Sequence, residues 1–502
     1  MAQQARETSK GKAARRKTAR KRKAEAPKPE GPWWALTLAL LAVVLILRLA
    51  VNATEPFPVH HGEARIWALG QELSWGYFGV SPLPVWTVRA VTDMSGDGLF
   101  MLRALGVLAH GTAAWLIFLT GRRLWGGASG FWAAAGYTAA PGVSYSSMIL
   151  SADPFLSALW AGAVYAMIRA AEFEGRLWWA VLGGLTGLGL LAGGGMLGFA
   201  AGALAYGAFS ARERYWTGTG ITALAAGAVI LPTVLWSLAE DAPLLAVPAG
   251  RTDPDIVNLL EALVVQAAVI GPVFFVAIWL ALKDRARWIE DWGMRLMAWL
   301  CVLPVISVLA LALISWGDGV WAAPAYVAGA LLAARWLVIA SGAPALKAQL
   351  GVGAAAALAL WVVTGLYAGQ SQGLTRRLDP FAEARISAPI CELLLATMAE
   401  EGAEVLLSDD QTRLAQCMYY GGLSWDEIAI WNPDGDIGSH YEMTVGLQPG
   451  DARSILLVSE RGAGQIALHF AEAREIDKGV IETHRDRSVP FQIWSIQGFN
   501  GY

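Results

Sequence analysis

The residues best suited to chemistry fall in one stretch, 59–86, VHHGEARIWALGQELSWGYFGVSPLPVW. Glu63 stands there beside His60, His61 and Arg65. A carboxylate next to apolar surface can take the proton of an attacking hydroxyl. Arginine grips phosphate in bidentate fashion, and Arg65, Arg89 and Arg103 lie in or beside this stretch. A second acid, Asp153, falls between two apolar runs in SMILSADPFLSALW, directly before Pro154. Glu63 and Asp153 are the candidate catalytic acids. Arg65 and Arg89 are the candidate phosphate partners. Trp75, Tyr77 and Trp86 offer ring faces for a sugar, and His61 completes the substrate-contact set. Each residue also has a plainer reading. Glu63 in a first helical turn favours the helix dipole. Asp-Pro is a good helix start, with the acid as cap. Each arginine has loop acids or lipid headgroups to pair with. His60 and His61 lack an acid at helical spacing, so they are weak metal ligands. No cofactor is expected, with a divalent cation left open.

Such residues need a frame, and composition says what kind. The 502-residue chain is 55% hydrophobic and 16% charged, with a mean hydropathy of +0.44. These values exclude an ordinary soluble globular protein. A hydrocarbon core of roughly 30 Å takes about 20 helical residues. Eleven spans fit the apolar runs: 33–51, 99–119, 129–147, 154–171, 178–191, 196–209, 218–238, 259–282, 295–315, 320–339 and 350–368. The fifth and sixth are short and turn at Gly193-Gly194-Gly195. Loop charges orient the set. Arg122, Arg123, 169–176, 212–214, 283–287 and 335–347 form basic inner loops, as the positive-inside rule requires. Glu55, Glu63, Asp93, Asp97, Asp153, Glu240, Asp241, Asp253, Asp255 and Asp318 fall outside. The basic tail 1–32 is read as disordered, cytoplasmic and lying on anionic lipid. Its charged region is too long for a cleavable signal peptide. Nucleic-acid binding is the disfavoured reading.

The outer loop 52–98 is too aromatic for a plain linker. Ile66, Leu69, Gln71 and Leu73 predict a helix lying flat at the membrane interface. The membrane domain is drawn at 33–369. From 370 to 502 the composition changes and acids outnumber bases. Helix-like 386–401 and 412–420 alternate with strand-like 404–410, 427–431, 453–459 and 491–497, which predicts a small periplasmic α/β domain. Cys391 and Cys417 fall on its two helices. They are either a bridge, if the compartment is oxidising, or two buried thiols. No fixed-period repeat, Walker loop, HExxH or CxxC pair is present.

The order and spacing of several blocks resemble bacterial glycosyltransferase family 39, the GT-C relatives of protein O-mannosyltransferases and of the aminoarabinose transferase that modifies lipid A. The blocks are GEARIWALGQELSWGYFGVSPLPVWTVRA, RLWGGASGFWAAAGYTAAP, SADPFLSALWAGAVYAMIRA, LEALVVQAAVIGPVFFVAIWLAL, VWAAPAYVAGALLAARW and the tail after RRLDPF. The resemblance implies a polytopic α-helical GT-C fold in the inner membrane and a polyprenyl-phosphate-linked sugar donor. It also implies an outer-loop acid as base and a lipid, glycan or protein acceptor. The sequence departs from the family where its Asp-Glu pair reads Gly62-Glu63, and where its His-Pro-Pro reads Val80-Ser81-Pro82. The usual Lys after the fifth span is replaced within 192–195. The expected activity is sugar transfer from polyprenyl phosphate at the periplasmic face. The alternative is an inactive GT-C scaffold or lipid-sugar binder, and a transporter ranks last.

Overall fold

The computed structural model describes residues 31–54, 57–172, 175–210, 213–243, 254–288, 290–314, 319–366, 381–459 and 462–502. The basic run, Glu55, Asp253, Asp318 and residues 370–380 lie outside them.

The first apolar run is helix α1 (Trp33–Asn52). Its Trp34, Leu38, Val43, Ile46 and Leu47 point outward, as a lipid-facing helix requires. The outer loop then builds α2 (His61–Gly70) and α3 (Pro82–Ser95). The chain returns as α4 (Leu99–Trp125), α5 (Gly127–Thr138), short α6 (Pro141–Ser146) and α7 (Ala152–Glu172). α4 and α5 approach to backbone contact. A Cβ on Gly130 would stand 2.5 Å from the Phe118 carbonyl oxygen, so only glycine permits the approach. The third expected span, 129–147, is therefore not one helix. Ala140 is extended and Pro141 opens the next short helix, because proline lacks the N–H to continue the first.

α8 (Leu177–Ala192) and α9 (Met196–Ser210) are the short pair expected around the triple glycine. α10 (Glu213–Ala239) follows. The eighth expected span, 259–282, is broken into α11 (Ile256–Ile270) and α12 (Pro272–Lys283), bent by 105°. Gly271 takes φ +90° and Pro272 ends the helical ladder. The freed backbone groups are met by a buried side chain. Gln349 donates to the Ile270 carbonyl at 2.8 Å and accepts from the Phe274 N–H at 3.2 Å. Such repair is required where no water is available. Gln349 belongs to α15 (Ala343–Leu366), which follows α13 (Trp292–Leu313) and α14 (Tyr326–Ile339). Among the described residues seven helices are long and apolar enough to cross a membrane, or eight with the bent pair as one; α8 and the apolar part of α9 are shorter. The protein is an integral membrane protein.

The C-terminal part opens with α16 (Ala382–Glu401), β1 (Val405–Ser408), α17 (Gln411–Gly421) and β2 (Ile428–Ile430). It continues with α18 (His440–Thr444), β3 (Ile455–Ser459), α19 (Ala463–Ala467), β4 (Phe470–His484) and β5 (Arg487–Phe499). The sheet order is β2-β1-β3-β5-β4. β1 runs parallel to β2 and β3, whereas β5 is antiparallel to β3 and β4. Cys391 and Cys417 form a disulfide between α16 and α17.

α2 is covered by protein on more than one side. Its Ala64, Ile66, Trp67 and Leu69 share one hydrophobic core with Leu394, Leu414, Met418 and Tyr441 of the C-terminal part, and with Leu99 and Leu102 of α4. The apolar residues of α2 thereby leave water by packing on protein.

Candidate functional site

Glu63 stands in the first turn of α2 and is wholly buried. The His60 N–H donates to its Oε2 at 2.8 Å, while the Gly62 N–H reaches His60 Nδ1 at 3.2 Å. This cap fixes the start of the helix. Arg103 of α4 holds the same carboxylate as a fork, Nε to Oε1 and Nη2 to Oε2, each 2.9 Å. The Leu150 N–H adds a bond to Oε1 at 2.8 Å. Each oxygen therefore accepts two N–H bonds, which fills the lone-pair sites of a carboxylate. Arg103 is equally committed. It donates to the Phe57 and Pro58 carbonyls at 3.2 and 3.0 Å, and lies 3.9 Å over the Phe57 ring. The expected role of Glu63 as base is revised accordingly: no oxygen site is left for an acceptor hydroxyl. Glu63 instead locks α2, α4, residues 57–58 and Leu150 together.

That lock acts on the second acid. Leu150 lies three residues before Asp153, so no more than about 11 Å of chain separates them. Asp153 is half-buried in the first turn of α7. Pro154 behind it packs on α4 at Gly106, where a Cβ would meet the Ser146 oxygen at 3.4 Å and Pro154 Cγ at 3.5 Å. Beneath lies a buried polar chain. The Tyr137 hydroxyl meets His110 Nδ1 at 2.9 Å, and His110 Nε2 meets Ser146 Oγ at 2.6 Å. Arg48 donates to the Thr138 carbonyl and to Ser144 Oγ at 2.7 and 3.2 Å. Tyr137 lies within electrostatic reach of both Asp153 and Arg48. The structure thus brings Glu63 and Asp153 to one end of the bundle in different settings: one is wholly buried, the other half-buried.

The remaining expected residues separate. Arg89 pairs with Asp93 on its own helix at 3.0 Å and donates to Gln71 Oε1 at 3.0 Å, so a loop acid already holds it. Trp75 is 63% exposed and meets Trp86 edge-on. Tyr77 is buried, not open for stacking. Its hydroxyl donates to the Glu72 carbonyl at 3.2 Å and its ring meets His440 edge-on at 5.2 Å. The His61 ring packs on that of His60 at 4.0 Å. Among the described residues no three His, Cys, Asp or Glu side chains converge to hold a metal ion.

Arg65 is different. It faces the seam between α2 and the C-terminal part, in reach of His440 and Tyr441. Burial pushes its guanidinium below the usual arginine range, and Tyr441 partly offsets this. Its Nε is buried with no hydrogen-bond partner, and so is the Tyr441 hydroxyl. Trp425 spans the seam. Its Nε1 donates to the Ala68 carbonyl at 3.3 Å, and its ring packs on Tyr441 at 4.9 Å. Sequence reasoning missed His440, Tyr441 and Trp425, because His-Tyr in a polar loop carries no signal of its neighbours some 360 residues away.

His440 makes the seam pH-sensitive. It accepts a long hydrogen bond from the Phe78 N–H at 3.5 Å, among the rings of Tyr77, Trp236 and Trp425. Burial, and then the charge of Arg65, push its pKa down from 6.5 to about 4. The unfolded or undocked form binds more protons between these values. The stabilisation is thus full above pH 6.5 and is lost as pH falls towards 4. The docked seam should weaken by up to about 3 kcal/mol over that window. Hydrogen exchange at Phe78 checks this: a lower protection factor at pH 4.5 than at 7.5, each taken against the intrinsic exchange rate at that pH, is expected, with the difference absent in His440→Phe.

A long outer loop folded into a bundle of apolar helices, under a C-terminal sheet, is the architecture of the GT-C fold. Residues 80–237 match the family described as dolichyl-phosphate-mannose-protein mannosyltransferase, so the resemblance drawn from the sequence blocks is borne out. The particular relatives extend the match to nearly the whole chain. Lipid A galacturonosyltransferase RgtD of Rhizobium johnstonii is 28% identical over 443 residues, covering 85% of this chain and 90% of that protein. Among solved structures, apo ArnT from Cupriavidus metallidurans overlays with a TM-score of 0.64 at 12% identity, over 92% of this chain and 97% of its own. The same protein bound to undecaprenyl phosphate gives 0.60, over 92% and 98%. The Archaeoglobus fulgidus oligosaccharyltransferase gives 0.53 at 10% identity, over 84% and 69%.

Proposed function

We propose that this protein transfers a sugar from a polyprenyl-phosphate carrier to a lipid acceptor at the periplasmic face of the inner membrane. The observation that carries the reading is Asp153, a half-buried carboxylate in the first turn of α7, in a chain that aligns over most of its length with a lipid A sugar transferase. In this reading the acceptor hydroxyl oxygen attacks the anomeric carbon and Asp153 takes its proton. The bond from that carbon to the phosphate oxygen breaks, and the carrier phosphate leaves with the electron pair. Arg65 meets the charge developing on the leaving group. Glu63 and Arg103 are positioning residues that hold the Leu150 segment under Asp153. A uronic acid is the donor sugar that the RgtD likeness favours. No cofactor is needed for these steps.

The topology belongs to the same proposal. Eleven crossings place the basic tail 1–32 in the cytoplasm and the unit 370–502 outside, over the membrane domain 33–369. The disulfide between Cys391 and Cys417 supports an oxidising side for that unit. The second reading, a GT-C scaffold without activity, is favoured by Gly62 in place of the family's Asp. One assay separates them. Membranes holding the protein, given polyprenyl-phosphate-linked galacturonic acid and lipid A, should yield a galacturonosylated lipid that membranes without it do not. No product with either this or a neutral hexose donor would favour the scaffold.

A further inference from the structure

A buried cation without a counter-charge and a buried hydroxyl without a partner are each costly, and protein interiors rarely keep them without a use. Here a half-buried guanidinium and a buried hydroxyl occur at one seam. Arg65 is half-buried, and its Nε is buried without a hydrogen-bond partner among the described residues. The Tyr441 side chain is wholly inaccessible, and its hydroxyl bonds to nothing among the described residues. They come from opposite sides of the seam, Arg65 from the outer-loop helix and Tyr441 from the C-terminal unit. Ala68 lies one turn along α2 from Arg65, on the same face, and it is to the Ala68 carbonyl that Trp425 donates while its ring packs on Tyr441. Arg65 and Tyr441 lie within electrostatic reach of each other, and the indole joins the two elements that carry them.

We infer that Arg65 and Tyr441 together form an oxyanion-binding site that the C-terminal unit completes. The anion takes a charge-assisted bond from the guanidinium and a hydrogen bond from the phenol. A sulfur or apolar group would satisfy neither. Two sources carry the required chemistry: the phosphate of the lipid carrier and the carboxylate of a uronic acid sugar. The site rests on the function proposed above only for the identity of that anion. Its consequence is coupling. An anion held from both sides ties the C-terminal unit to the outer loop, so ligand binding and docking reinforce each other.

The test is binding to the full-length protein in detergent, by calorimetry, with undecaprenyl phosphate, galacturonate and neutral galactose as ligands. Tyr441→Phe keeps the ring against Trp425 and removes only the hydroxyl. It should weaken one anion about threefold to tenfold, and Arg65→Gln should weaken the same anion by about tenfold or more. Arg65→Lys serves if the glutamine variant fails to fold. Hydrogen exchange over residues 425–441 should slow when that anion binds to the wild type. Loss in the undecaprenyl phosphate arm assigns the carrier phosphate, and loss in the galacturonate arm assigns the sugar carboxylate. If the wild type binds undecaprenyl phosphate and both variants bind both anions equally well, the site is overturned while the transferase reading stands. Wild-type protein that binds neither anion overturns both. Loss in Arg65→Gln alone overturns the part given to Tyr441.

Discussion

Asp153→Asn should lower the rate of sugar transfer by about 10²- to 10⁴-fold, the contribution a positioned general base makes. The amide keeps the shape of the carboxyl and its acceptor oxygen at the helix start, so α7 should form as before. What disappears is the capacity to hold the proton of the attacking hydroxyl. The loss should fall on kcat, with the Kd for undecaprenyl phosphate unchanged, because the role proposed for Asp153 is to hold the acceptor's proton and not to bind the carrier. The measurement is initial rate against donor concentration in purified protein, with an apparent melting temperature to confirm folding. A rate within threefold of the wild type would remove Asp153 from the chemistry.

Glu63→Gln should act the other way, on stability first. Glu63 and Arg103 are both wholly buried and joined by two bonds of 2.9 Å. Replacing one partner leaves a buried guanidinium against two carbonyls with no counter-charge. Breaking a buried pair in this way costs about 3–5 kcal/mol. The amide also offers one oxygen where the carboxylate offers two, so whichever way it turns, two of the four N–H bonds are lost: those to Oε1 from Arg103 and Leu150, or those to Oε2 from Arg103 and His60. The apparent melting temperature in detergent should fall, and Leu150 should exchange its amide hydrogen faster. Replacing both members of the pair by Met should recover much of the loss, since the uncompensated charge is then gone. If Glu63 were instead the base, Glu63→Gln would melt like the wild type and lose only kcat.

The bundle was readable because its signal is long: runs of apolar residues near spanning length need no partner to be recognised. The breaks were legible in part. Pro141 and Gly271-Pro272 punctuate their runs, but reading each run as one helix overlooked what proline and a positive φ impose. Strand β4 escaped notice because AEAREIDKGVIETH is charged along much of its length. It is the edge of its sheet, where charged side chains facing water are the usual condition. The candidate site divides similarly. Glu63 and Asp153 stand out as acids flanked by apolar sequence. How Glu63 is held depends on Arg103 and the Leu150 amide, 40 and 87 residues away, and no local pattern encodes such pairings. The seam is less legible still, since Tyr441 gains its meaning only from the fold that carries it to α2.

The core shared by α2 and the C-terminal unit bears on how such enzymes diversify. Exchanging the C-terminal unit alone would uncover that core, because the newcomer would have to pack on Trp67 and Leu69 as the present one does. The heritable module is the loop and its cover as a pair, two stretches of chain far apart in the gene that must change in step.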